Sequence, residues 1–203
     1  MMKLKKDKLW NQKILYLVLG IVILIGIGTG LFYQFFIGKE MKTEIINQMN
    51  HFFTTIKDGS LNFSNTFTNS VSSNGISLLL IWVLGISIIG IPFILIHLFF
   101  KAFILSFSFI SIIANYHFKG LFLGITYIFP HQVLNLVIWL LLSFYAIGFS
   151  IKLIKVLIFK KNINLKEHFK KYTKILFICS LMLILSSLFE TYLCPWLLKF
   201  FLV

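Results

Sequence analysis

The chain has no arginine, six acidic residues and two cysteines among its 203 positions. Its acids are Asp7, Glu40, Glu44, Asp58, Glu167 and Glu190, and none of them forms the carboxylate pair that general acid and base chemistry uses. The histidines, His51, His97, His117, His131 and His168, are scattered, with no HExxH and no acid within helical reach of two of them. That spacing argues against a catalytic metal. GxSxG and Walker-type glycine loops are missing as well, so neither an esterase-type nucleophile nor nucleotide hydrolysis is encoded. Cys179 and Cys194 lie in the last apolar run without a CxxC, which assigns them to packing and leaves the redox compartment open. No cofactor is implied.

One further absence is informative. Residues 76–100 contain no Lys, Arg, Asp or Glu, and a helix needs about 20 apolar residues to cross the hydrocarbon layer. Every helical face of this run is apolar, so it reads as a membrane span. What the chain does contain agrees: 59% apolar residues, 17% aromatics and a mean hydropathy of +0.93 describe an integral membrane protein. The net charge of +13 comes from lysines placed between greasy runs. They are therefore expected to meet anionic membrane lipids, and no nucleic acid is expected as a partner.

Lys3, Lys5, Lys6, Lys8 and Lys13 precede an apolar run at residues 14–37, too long for a signal-peptide core and without a small-residue cleavage site. It reads as a first span starting inside. Gly26 and Gly30 within it form a GxxxG pair suited to close helix packing. Residues 38–75 form an extracytoplasmic loop. Its first half sets Met41, Ile45, Met49, Phe52 and Phe53 at helical spacing, predicting an amphipathic helix that ends near Asp58-Gly59-Ser60; Phe63 and Phe67 suggest a second short helix. Those apolar faces are expected to lie on the bilayer, cap the bundle or dock a partner.

Eight lysines between Lys152 and Lys174 face one acid, Glu167, which places residues 152–174 in the cytoplasm. An even number of crossings must then precede them. Spans near residues 14–37, 76–100, 101–118 and 120–151 supply it, the fourth broken at Pro130 and the second carrying Pro92. A last span at residues 175–194 leaves the C-terminus outside. The expectation is an all-α membrane protein with five transmembrane helices, one proline-broken helix and an amphipathic external loop.

Glu190 is the acid that falls inside an apolar run, and an unpaired carboxylate there is costly. Lys119, on the outer side of this topology, is its expected structural partner. The alternative is a transporter or channel component, with Pro92, Lys119, Pro130 and Glu190 around a midplane site.

Four blocks, WVLGISIIGIPFIL, FKAFILSFSF, IFPHQVLN and SSLFETYLCPWLL, are together similar to the stage II sporulation protein M family over Ile14 to Leu198. The chain departs from the family's pattern at Ala102 and Ser106, where glycines are common, and at His131, inserted between Pro130 and Gln132. The resemblance implies a non-enzymatic scaffold of the engulfment machinery of endospore-forming bacteria. It would sit at the sporulation septum and engulfing membrane, anchoring the peptidoglycan hydrolases known as stage II sporulation proteins P and D.

Overall fold

The computed structural model describes the backbone of residues 2–160, 162 and 164–202 and the side chains of residues 13–160, 162 and 164–199. Lys3, Lys5, Lys6, Lys8 and Lys161 lie outside the described side chains. In chain order the elements are α1 (Met2–Phe36), α2 (Lys39–Lys57), α3 (Phe63–Gly85), α4 (Gly90–Leu123), α5 (Phe129–Leu157), α6 (Leu165–Leu188) and α7 (Cys194–Leu202). Two π turns, Gly124–Ile128 and Phe189–Leu193, join α4 to α5 and α6 to α7. The protein is an all-α membrane protein, 91% helical, with no strand among the described residues.

Four stretches are long and apolar enough to cross a bilayer: Lys13–Phe36, Phe63–Gly85, Gly90–Leu157 and Leu165–Lys199. The third is folded double. At His117 the backbone leaves helical geometry (φ 50°, ψ −126°) and the chain turns back on itself. A Cβ on Gly120 would collide with the Ile112 carbonyl, so glycine permits the tight return. The result is a bundle of five apolar arms. Its outer surface carries side chains such as Phe35, Phe36 and Leu24, exposed by 76%, 80% and 68%. A soluble monomer rarely presents so continuous an apolar exterior, whereas lipid accepts it.

Lipid tails are as apolar as the helices, so burial does not drive the arms together; close packing and hydrogen bonds do. α1 lies along α4. A Cβ on Gly26 would come within 2.6 Å of Phe99 O, and one on Gly30 within 2.5 Å of Phe103 O. These two glycines let the backbones touch. One turn beyond, Ser111 Oγ donates to Gln34 Oε1 at 2.8 Å, both groups buried. The main core joins Leu78 and Ile81 of α3, Ile94 and Leu98 of α4, Leu142 of α5 and Cys179 of α6.

The charge-free run at residues 76–100 is not one helix. α3 ends at Gly85 and α4 begins at Gly90, with an apolar turn between them. The carbonyls freed at the end of α3 are met by distant side chains: Ser150 Oγ donates to Gly85 O at 2.7 Å, and Tyr172 Oη to Trp82 O at 2.9 Å. With those acceptors satisfied, the chain can turn among apolar side chains. Gly90 packs against Leu84 O too closely for any Cβ. Pro92 consequently lies in the first turn of α4, where a missing N–H costs nothing, and it kinks no span.

The short helix expected around Phe63 and Phe67 is instead the start of α3. Asn62 caps it by accepting the Asn65 N–H at 3.1 Å. α2 ends at the expected place, with Gly59 at φ +69° as the left-handed cap residue. Pro130 does not break the return arm either, since the helix continues through the π turn before it.

At one end of the bundle, α2 lies over the His117 reversal and α7, with Phe53 and Ile56 buried against Ile112, Leu123, Ile128 and Leu198. The opposite end holds the α3–α4 turn and the lysine-rich α5–α6 linker. There Asn164 caps α6 by accepting the Glu167 N–H, and Lys171 Nζ donates to Glu167 Oε1 at 2.7 Å. The Lys171 ammonium holds the Glu167 carboxyl below the usual carboxylate range.

Candidate functional site

Both π turns precede a proline by the same interval. Pro130 and Pro195 have no N–H for the residue four positions back, and their rings would press on that carbonyl. The helix responds by widening: the Phe129 N–H donates to Gly124 O and the Cys194 N–H to Phe189 O, each five residues back. Both turns carry the same local sequence, Thr-Tyr-x-x-Pro, at Thr126–Pro130 and Thr191–Pro195. In α4–α5 it precedes the descent of one arm; in α6–α7 it follows the ascent of another. At the α2 end of the bundle the Gly124–Ile128 turn packs against α7 and the Phe189–Leu193 turn against α5. π bulges of this kind often mark functional positions.

Between them sits a polar node. Ser70 Oγ, on α3, donates to Glu190 Oε2 at 2.5 Å. Ser187 Oγ lies 3.0 Å from Ser70 Oγ, and Asn74 Nδ2 donates to Ser70 Oγ at 3.4 Å. On the other side, His131 Nε2 stands 3.9 Å from Glu190 Oε1. The imidazole is held in turn by its own surroundings: Ser186 Oγ donates to His131 O at 3.2 Å, Cys194 Sγ lies 4.0 Å from Nδ1, and the Tyr127 ring meets its edge. Ser70, His131, Ser186, Ser187 and Thr191 are all buried, while the Glu190 side chain keeps one-fifth of its surface. Three arms are thus tied together through one carboxylate. An acid–imidazole pair in such a place can store and pass a proton.

The expected Glu190–Lys119 pair is not formed. Among the described residues the basic group within ion-pair distance of Glu190 is His131. Lys119 is exposed, just past the His117 reversal, where its ammonium can stay hydrated. A solvated lysine has little to gain from moving into the node, whereas Ser70 and His131 are already there. Of the four residues suggested for a midplane site, Pro92 lies at the far end of the bundle and Lys119 on the surface. Pro130 and Glu190 do come together, through His131.

The candidate docking residues divide. Phe53 is buried within the chain's own α2 cap, with Met49 and Phe52 packed beside it. Phe63 stacks on Tyr192, ring centroids 5.5 Å apart, and Phe67 is half-buried. Met41 is half exposed, and Ile45 is partly so. Of the candidate docking residues on α2, the more exposed ones therefore lie in its first half. No group of three or more His, Cys, Asp or Glu that could hold a metal occurs among the described residues.

Formal charge in the sequence points from Glu190 to Lys119 and not to Ser70, Ser187 or His131, which carry no fixed charge. The repeated Thr-Tyr-x-x-Pro was the sign that could have located the node. In comparison with known proteins, a family model described as stage II sporulation protein M matches residues 14–195. No curated protein and no solved structure matches the chain.

Proposed function

The chain belongs to the stage II sporulation protein M family and is a sporulation membrane protein, and on that premise we propose that it is a non-enzymatic scaffold of engulfment. In this reading it sits at the sporulation septum and in the engulfing membrane. There it anchors the peptidoglycan hydrolases called stage II sporulation proteins P and D, and those partners do the cutting. The α2 end faces the wall and the lysine-rich linker faces the cytoplasm.

The observation that supports this most is the construction of the α2 end. Its apolar half is locked onto the bundle through Phe53 and Ile56, and the node around Glu190 fixes α3, α5 and α6 beneath it. A helix held this firmly presents Met41, Ile45 and their polar neighbours at low entropic cost to a partner. Binding energy at such surfaces concentrates in a few anchors. Detergent pull-down tests the reading. Met41→Ser with Ile45→Ser, both outside the buried cap, should reduce capture of stage II sporulation protein P at least tenfold without altering the thermal unfolding of the bundle. Undiminished capture would move the contact off α2, and no capture by the unaltered chain would remove the scaffold reading.

A further inference from the structure

A line of buried polar side chains runs down one face of α5: His131, Asn135, Trp139 and Ser143, each four residues after the last and each at most 2% exposed. Ser150, fully buried, continues the face to the other end of the bundle. From His131 to Ser150 the helix rises about 28 Å, close to the roughly 30 Å thickness of a hydrocarbon core. α4 faces this line. Lys101 Nζ sits 4.4 Å from the centroid of the Trp139 ring, and in an antiparallel register that contact sets His97, one turn earlier on α4, at the level of Ser143.

Four atoms of this seam are buried without a hydrogen-bond partner among the described residues: Asn135 Oδ1, Trp139 Nε1, Ser143 Oγ and His97 Nε2. Native interiors leave few such groups, and each one calls for an explanation. They include an acceptor, a donor and two groups able to do either, along about 12 Å of helix. Water satisfies such a mixture, since it both donates and accepts. The seam also has a titratable group at each stage. Glu190 and His131 stand at the α2 end, faced by Ser70, Asn74 and Ser187 on one side and by Tyr127 and Cys194 on the other. Lys101 and His97 stand in the middle. At the far end Ser150 Oγ bonds to Gly85 O and Ser87 O, below which Lys152 Nζ lies 3.0 Å from His168 Nδ1.

We propose that this seam is a transmembrane proton pathway, with Glu190 and His131 as its outer protonation site and Lys101 and His97 as its inner one. A proton enters on the Glu190 carboxylate, passes to His131 through one water bridging the 3.9 Å gap, and moves through hydrogen-bonded water past Asn135. It then reaches the Lys101–His97 level and leaves past Ser143 and Ser150. One proton is carried across, and no other bond changes. The ammonium of Lys101 repels metal cations, and a second proton cannot arrive until Lys101 or His97 has released the first. The pathway is therefore a slow, proton-selective relay and not an open pore. It goes beyond the scaffold reading, and loss of hydrolase capture would leave it untouched.

Proteoliposomes of the full chain with an internal pH indicator test it, under a potassium–valinomycin potential. Proton uptake should exceed that of protein-free vesicles. Glu190→Gln, which keeps an acceptor for Ser70, should lower it at least tenfold, and Lys119→Gln, on the exposed reversal, should leave it unchanged. Uptake equal to protein-free vesicles, or equal in Glu190→Gln and the unaltered chain, would overturn the proposal. A second measurement tests the seam for water. In Ser143→Cys, a small thiol reagent mapped by peptide mass spectrometry should modify the introduced thiol, while the equally buried Cys179, outside the seam, stays unmodified. If neither thiol reacts, the seam is dry and the pathway is refuted.

Discussion

Replacing Ser70 by alanine should loosen the bundle by an amount that depends on Glu190. Ser70 Oγ is the group that donates directly to the carboxylate, at 2.5 Å, and it also lies within hydrogen-bond distance of Ser187 and Asn74. Hydrogen bonds to a charged partner contribute about 1.5–3 kcal/mol in soluble proteins. Between membrane helices the measured average is only about 0.6 kcal/mol, with a maximum near 1.7, because the separated helices find other partners. Ser70 makes three contacts and is buried, so Ser70→Ala should cost about 1.5 kcal/mol, near the upper limit. Glu190→Gln keeps an acceptor and should cost about 1 kcal/mol or less. The decisive quantity is the coupling. The double variant should fall short of additivity by up to about 1 kcal/mol, because Glu190→Gln weakens, from charged to neutral, the same bond that Ser70→Ala removes. Reversible unfolding in mixed micelles with increasing SDS gives all four free energies. Ser70→Ala combined with Lys119→Gln should be additive, since Lys119 lies outside the node. A Ser70–Glu190 coupling near zero, or a sizeable Lys119–Glu190 coupling, would refute the node and reinstate the ion pair expected from formal charge.

Gly30→Ala should cost about 1–3 kcal/mol, because its Cβ would meet Phe103 O and Ser106 Oγ across the α1–α4 contact. Gly28→Ala, with nothing within 4 Å, should be neutral or slightly stabilising; equal melting shifts for the two would contradict the packing of α1 on α4. Tyr172→Phe removes the donor to Trp82 O and Ile81 O at the end of α3. It should cost about 1 kcal/mol and speed amide exchange at residues 84–90 more than in α1, and uniform exchange would show that Tyr172 does not cap the turn.

The class of this protein was legible because composition acts over whole segments. Long charge-free runs, lysine-rich linkers and an amphipathic stretch at residues 39–57 are summed properties, and the helices follow them. Helix continuity is another matter. Residues 76–100 looked like one span because an apolar turn and an apolar helix have the same composition. What ends α3 is Ser150 and Tyr172, brought close only by the fold. The polar opening of α3 reads in the sequence as a separate short helix within a loop, because Ser70 finds Glu190 and Ser187 only across the bundle. Local signals did better: Gly59 closes α2 where the sequence places the end of the amphipathic helix. Glu190 stands out at once, but its partners do not, because hydroxyls and an imidazole carry no fixed charge opposite to its own.

The account depends most on the two ends of the bundle lying in different compartments. Asp58, at the end of α2, and Asn162, in the lysine-rich linker, are both exposed. Cys179 and Cys194 are fully buried and contribute little background to thiol labelling. In intact protoplasts, a membrane-impermeant maleimide should label Asp58→Cys directly and Asn162→Cys only after permeabilisation. Labelling of both from the same side would contradict the bundle as a membrane-crossing structure with an outer α2 face.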